Sequence, residues 1–393
     1  MNFIDQLAKK ILAEYPNREE LIVILPSERA VKYLGNALFK LNGGPLIAPE
    51  MLTIDRWIRS QFNQIIDSTR LLLVLFESYT QTEEGRGQSF ESFLNWGSTL
   101  LSDFNDLDRY LIDQTQIFKN LKSIKELESW HIDEHEYSES QLKFMAFWDQ
   151  IPKLHDELMR QLGQRNELTL SQAYRRMAEE TNTLVPIGKN YIFAGFNALS
   201  KAELRIIKNL MNRGVAKFII DADEYYLDNP QHEAGSFLRS DLAFLEVTHP
   251  DFVGKELTSK TMDVHVIECA QHTGQVKVAA TELAKLSPEE LDETLVLLAD
   301  ESLIYSLVKN IPSSVGQANI TLGLPLQQTP VKSWVDLIFT IQENKKRFRT
   351  TALYFKDFQR ILNHVFCLGS LPDSEKKLLT AIEQDSIRKN KVF

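Results

Sequence analysis

"YIFAGFNALSKAEL" (191–204) decides how the chain is read. Tyr191 to Ala194 are continuously apolar, Gly195 opens a polar turn, and a helix-forming run follows. That order spells a buried strand, a turn and a helix. In open parallel sheets, ligands meet the carboxyl ends of the strands. Phosphoryl chemistry needs carboxylates there, and this strand ends instead in Ala194 and Gly195.

Two further runs share the strand's character: "LIVILPS" (21–27) and "AKFIID" (216–221). The continuous apolar run of the first suits a central strand covered on both faces, and consecutive β-α-β units pair through right-handed crossovers, so the three are expected side by side in one largely parallel sheet. "ERAVKYLGNALFKLNGG" reads as a helix closed by Gly43-Gly44, and "LTIDRWIRSQF" as the start of another, with Thr53 or Asp55 as its N-cap. Residues 68–185 show only helical patterns. Such a block is too long for a loop and is expected as an insertion with its own core. Strand character returns at "VHVIECA" (264–270) and "TLVLLAD" (294–300), after a loop-like junction near 250–262. Beyond Pro330 the chain turns helical and reaches Phe393 without an evident cap, as a truncated segment would. The expected plan is therefore α/β. Residues 1–67 and 186–258 form a first domain around the 68–185 insertion, 259–330 begin a second α/β domain, and 331–393 form a second helical insertion.

Composition is that of a globular protein: 43% hydrophobic, 25% charged, with 16 Gly and 13 Pro among 393 residues. "LLLVLF" (71–76) is far too short to span a bilayer, and the amphipathic "MNFIDQLAKKILAEY" is not a signal peptide. Two distant cysteines, Cys269 and Cys367, suit a reducing cytoplasm. The net charge of −10 disfavours wrapping nucleic acid over the whole surface. It is unevenly spread: Lys+Arg against Asp+Glu is 12 against 20 in 68–185 and 12 against 7 in 331–393.

Motifs for chemistry are sparse. A phosphate-binding loop needs close-approach glycines and a Lys-Ser/Thr pair; the only Gly-Lys pairs, Gly188-Lys189 and Gly254-Lys255, precede Asn and Glu. "HIDEH" would place His131 and His135 one helical turn apart with Glu134 as base, a zinc-hydrolase spelling. It lies in a solvated acidic stretch without a further ligand, and stands as the alternative reading. In "LPDSEKK" (371–377), Asp373, Glu375 and Lys377 superficially spell a PD-(D/E)XK nuclease, but their spacing suits a helix start. No Gly-x-Ser-x-Gly occurs.

Taken together, these segments resemble superfamily 1 helicases. "ILPSERAVKYL" (24–34) and "LTIDRWI" (52–58) resemble DNA-contacting motifs, which implies DNA contacts at Ser27, Arg29 and Thr53. "YIFAGFNALSKAE" is similar to the metal and water motif: Ala194 stands for the magnesium-binding Asp, Gly195 for the catalytic Glu and Asn197 for Gln, with Phe196 kept. In "TLVLLADESLIYSLVKNIP", Ala299 stands where an Arg usually follows the strand. The strand and phosphate loop that should precede the first helix are missing. "LLSDFNDLDRYLID" (100–113), "GQVKVAATEL" (274–283) and "ITLGLPLQQTPV" (320–331) look like the helicase-like part of AddB-type subunits and of bacterial PD-(D/E)XK nuclease-family proteins. The resemblance implies RecA-like domains without ATPase activity or cofactor, and a nuclease domain beyond Phe393. The implied role is DNA repair or recombination. Its partners would be DNA (single-stranded or a duplex end) and an active helicase-type subunit, with no membrane.

A last candidate is read from the residues themselves. "ENKKRFRTTALYFKDFQR" (343–360) gathers Lys345, Lys346, Arg347, Arg349, Lys356 and Arg360 among Phe348, Tyr354 and Phe355. Cations can neutralise phosphates and aromatics can stack on unpaired bases.

Overall fold

A computed structural model describes residues 2–83, 85–114, 116–118, 139–369 and 371–389, apart from the side chains of 139–145. The chain divides into two compact units, Met1–Met262 and Asp263–Phe393.

The first unit is α/β and mostly helical, built on a four-stranded sheet in the order β2-β1-β3-β4. The strands are β1 (Leu21–Leu25), β2 (Glu50–Thr53), β3 (Asn190–Ala194) and β4 (Ala216–Ile219). All three pairings are parallel; Val23, for example, sits between Met51 and Ile192. The three apolar runs are thus neighbours, with the long insertion between the first two. The exception is β2: its residues were expected to lead into a helix, and they form an edge strand first. "EMLT" is short and only half-buried, so it lacks the continuous apolar signature of a central strand.

Alternation across the pleat explains why the central runs are apolar throughout. Leu21, Val23, Leu25, Ile192, Ala194 and Ile219 face α1 (Phe3–Glu14) and α2 (Glu28–Asn42). Ile22, Ile24, Tyr191, Phe193 and Phe218 face the opposite layer. That layer comprises α3 (Ile54–Gln61), α7 (Leu170–Glu179), α8 (Lys201–Asn212) and α9 (Ser236–Leu245). Trp57 of α3 anchors it, fully buried with its ring 5.7 Å from Tyr191 and 5.8 Å from Phe193.

The inserted helices α4 (Ser68–Thr80), α5 (Phe90–Arg109) and α6 (Glu139–Gln164) enclose a separate aromatic-rich core that includes Leu75, Phe93, Phe104 and Leu158. His155 of α6 is buried against Phe104 with neither ring nitrogen hydrogen-bonded, and burial holds its pKa below the usual imidazole value. The insertion's own core ends earlier than 185, because Ala173, Tyr174 and Met177 of α7 belong to the sheet's core. Its neck is an isolated parallel bridge between Ile65 and Leu168. Arg175 ties the two parts together: it meets Asp108 at 3.0 Å and donates to the carbonyls of Leu107 and Ile112 at the end of α5. Burial pushes the Asp108 carboxyl up to about 6 despite this guanidinium.

In the second unit the expected strands do not form. Among the described residues, 264–270 and 294–300 form no strand and belong to no ladder. The elements present are α10 (His272–Leu283), α11 (Ile304–Asn310), α12 (Pro330–Phe348), α13 (Phe355–Leu362) and α14 (Asp373–Arg388), with shorter turns. Asp373 and Glu375 occupy the first turn of α14, as a helix start requires.

Candidate functional site

In the strand order β2-β1-β3-β4, the chain leaves β1 toward one edge and returns on its other side. The carboxyl ends of β1 and β3 therefore flank a topological switch point, where open parallel sheets place ligands. Here that point is filled with hydrocarbon. Ala194 is fully buried among Leu7, Ile11, Leu25 and Ile219. Gly195 adopts φ +75°, a left-handed conformation that disfavours side chains, and a Cβ there would lie 3.2 Å from Cε1 of Phe3. The Phe3 ring is backed edge-on by Phe252 at 6.1 Å. Phe196 points into the core, whereas Asn197 is exposed on the turn.

Around this plug the edge is polar. Ser27 Oγ accepts from the Ala30 amide at 3.2 Å and caps α2; Thr53 Oγ1 accepts from the Arg56 amide at 3.4 Å and caps α3. Thr53 is therefore the cap, and Asp55 is not. Capping uses an acceptor lone pair, so each hydroxyl keeps a proton to donate. Arg29 is exposed on the first turn of α2, and Arg56 of α3 meets Glu28 of α2 at 3.3 Å. Ser27, Arg29 and Thr53 thus gather at one edge, where two helix N-termini favour anions.

Beside them lies a cluster that sequence reasoning missed. Tyr174 Oη donates to Asp55 Oδ1 at 2.5 Å, and burial followed by this carboxylate drives the phenol pKa upward. Arg109 lies 4.4 Å over the Tyr174 ring and meets Asp55 at 3.4 Å and Glu203 at 3.7 Å. Glu203 closes a capping box, its Oε2 accepting from both the amide and hydroxyl of Ser200. "SKAE" (200–203) was the readable signal for that part alone.

Asp241 of α9 is 5% exposed and has one oxygen, Oδ2, without a partner. Burial pushes its carboxyl up to about 6; the Leu199 amide opposes this and Glu203 adds to it. The folded value exceeds the ordinary 3.8, so Asp241 contributes stability fully below about 3.8 and loses it as pH rises through about 6. Asp241→Asn should therefore be more stable than the parent at pH 7, by about 1–2 kcal/mol. The difference should shrink or reverse near pH 4. Urea midpoints for both proteins across this range check it; parallel curves would contradict it.

The remaining candidates fall elsewhere. His131, Glu134 and His135 lie outside the described residues. Ala299 is exposed in the second unit. A Ser333–His364 pair, 2.9 Å apart, has the wrong polarity for a nucleophile. His364 Nδ1 accepts from the Phe366 amide, so Nε2 carries the proton and donates to the serine, which donates to the Pro330 carbonyl. Lys345, Lys346 and Arg347 form the last turn of α12, and Arg349 follows at φ 51°. Phe348 is 41% exposed, 5.2 Å from Tyr354, with the Arg347 guanidinium 5.6 Å over its ring. Lys356 and Arg360 are exposed on α13, which docks through a 2.7 Å bond from Asn344 to the buried Asp357.

Compared with protein-family models and with curated protein sequences, the chain matches none.

Proposed function

We propose that the chain is a helicase-like scaffold without ATPase activity, of the superfamily 1, AddB-like type, serving bacterial DNA repair or recombination in the cytoplasm. It grips DNA and docks an active helicase-type subunit. In this reading the four-stranded sheet is a RecA-like core whose nucleotide crevice has been closed. The supporting observation is the plug itself: buried Ala194, Gly195 at φ +75° and the Phe3 ring occupy the switch point between β1 and β3. Neither residue offers an oxygen to magnesium, and phosphoryl transfer depends on such positioning. The polar rim favours phosphate backbone through Ser27, Arg29 and Thr53, and the basic aromatic segment offers a second contact. No helix among the described residues is long and apolar enough to cross a membrane. The reading is tested by measuring ATP hydrolysis of the pure chain with and without single-stranded DNA; DNA-stimulated turnover would falsify it.

The acidic insertion should stay off the DNA, because its surplus of carboxylates repels phosphate. Converting the exposed Glu91, Asp103, Asp106 and Asp156 to amides should leave single-strand affinity unchanged or raise it, by no more than about threefold. Fluorescence anisotropy reads this directly. A fall in affinity would place the insertion in the DNA path.

A further inference from the structure

The inserted helices enclose a cavity of about 200 Å³ whose lining includes Trp96, Asp103 and Phe104 of α5, Phe147 and Trp148 of α6, and Phe118. Sites for drug-sized molecules start at roughly 300 Å³, so this one is sized for a single compact head group. Its walls stand at right angles. The rings of Trp96 and Phe147 are 5.3 Å apart at 89°, and those of Phe147 and Trp148 are 6.1 Å apart at 81°. Trp96, Leu100, Asp103 and Leu107 follow at three- or four-residue spacing and so share one stripe of α5. A carboxylate thus stands where an amphipathic helix calls for hydrocarbon. Burial raises its pKa and Asp106 raises it further. Among the described residues no ion pair reaches Asp103, while Arg109, Arg160, Arg165 and Arg175 are engaged with other carboxylates.

We propose that this cavity binds a small organic cation, an alkylated ammonium head group of the choline class. Aromatic faces carry negative potential and attract cations, most strongly where water is excluded. Asp103, partly open to solvent, supplies the balancing charge. Methyl groups on the cation bury against the rings, as the hydrated ammonium of lysine does not. A neutral guest would leave a partly dehydrated carboxylate unmatched. An anion would be repelled by that carboxylate and by the insertion's 20 acidic against 12 basic side chains. Hard metal ions need several oxygen ligands, and among the described residues no group of three or more His, Cys, Asp or Glu could hold one. The inference does not rest on the DNA role proposed above.

Calorimetric titration of the whole 393-residue chain tests it, with choline chloride against its uncharged carbon isostere, 3,3-dimethylbutan-1-ol, at matched ionic strength. Choline should bind with a dissociation constant of about 1 mM or below, at least about tenfold more tightly than the alcohol. Asp103→Asn keeps the shape of the side chain and removes its charge, so it should weaken choline about tenfold and leave the alcohol unchanged. Phe147→Leu keeps an apolar wall without a π face and should weaken choline about fivefold. Urea midpoints show that each variant is folded, and the comparison on the parent chain stands without them. No binding of choline at about 10 mM would overturn the proposal. So would equal affinity for the alcohol, which marks a merely apolar cavity, or choline affinity that survives Asp103→Asn. Tighter binding of guanidinium than of choline would also overturn it, by marking an arginine side chain as the guest.

Discussion

Replacing Ala194 with aspartate should unfold the first unit and should not rebuild a metal ligand. The methyl group points into a cluster formed by Leu7, Ile11, Leu25 and Ile219, on the face opposite α3. A carboxylate there has no cation and no donor aimed at it, and burying an unpaired charge is among the largest single-residue penalties known. We expect a loss of about 4 kcal/mol or more, or failure to fold. Gly195→Glu adds a different cost: its left-handed backbone disfavours any side chain by about 1–3 kcal/mol, and the Phe3 ring must give way. Gly195→Ala should show the backbone and ring costs alone. Urea unfolding measures all three. A folded Ala194→Asp chain of parental stability, or one that hydrolyses ATP, would mean that the crevice is not closed.

The second large effect belongs to the basic segment. Lys346, Arg347 and Arg349 are exposed around the half-open ring of Phe348. If each neutralises a phosphate, log affinity falls with log salt by roughly 0.7 per contact on single strands. Changing Lys345, Lys346, Arg347 and Arg349 to alanine should flatten the slope by about two to three units and weaken binding about 100-fold or more at low salt. The same cations also lie at the C-terminus of α12, where they complement the helix dipole. The variant therefore needs a melting curve beside its binding curve. An unchanged slope in a folded variant would reduce the segment to a helix terminus.

What could be read from the sequence follows the range of the interactions. β1 and β3 were legible because central strands covered on both faces are apolar almost throughout, and β4, although an edge strand with Lys217 exposed, through its apolar Phe218 and Ile219. β2 was not, because an edge strand of four half-buried residues carries no such mark. The runs at 264–270 and 294–300 spell strands as plainly as "LIVIL" does. Spelling gives the capacity to pair, whereas a ladder also needs a neighbour. The cap at Thr53 is local and was legible as one of two candidates beside Asp55, whereas the cap at Ser27 was not read; the cluster of Asp55, Arg109, Tyr174, Glu203 and Asp241 is drawn from five distant segments and was not legible either. That 194 and 195 carry no carboxylate could be read from the chain, but the Phe3 ring beside Gly195 could not, because only the packing of α1 on the sheet brings it there.

The central claim is a DNA-holding scaffold whose nucleotide crevice is closed. Its most direct test is one anisotropy titration of a labelled single-stranded oligonucleotide of about 16 nucleotides, run with and without magnesium ATP at matched ionic strength. The account predicts salt-sensitive binding that is the same in both arms. An affinity that shifts with magnesium ATP, or no binding at low salt, would contradict it.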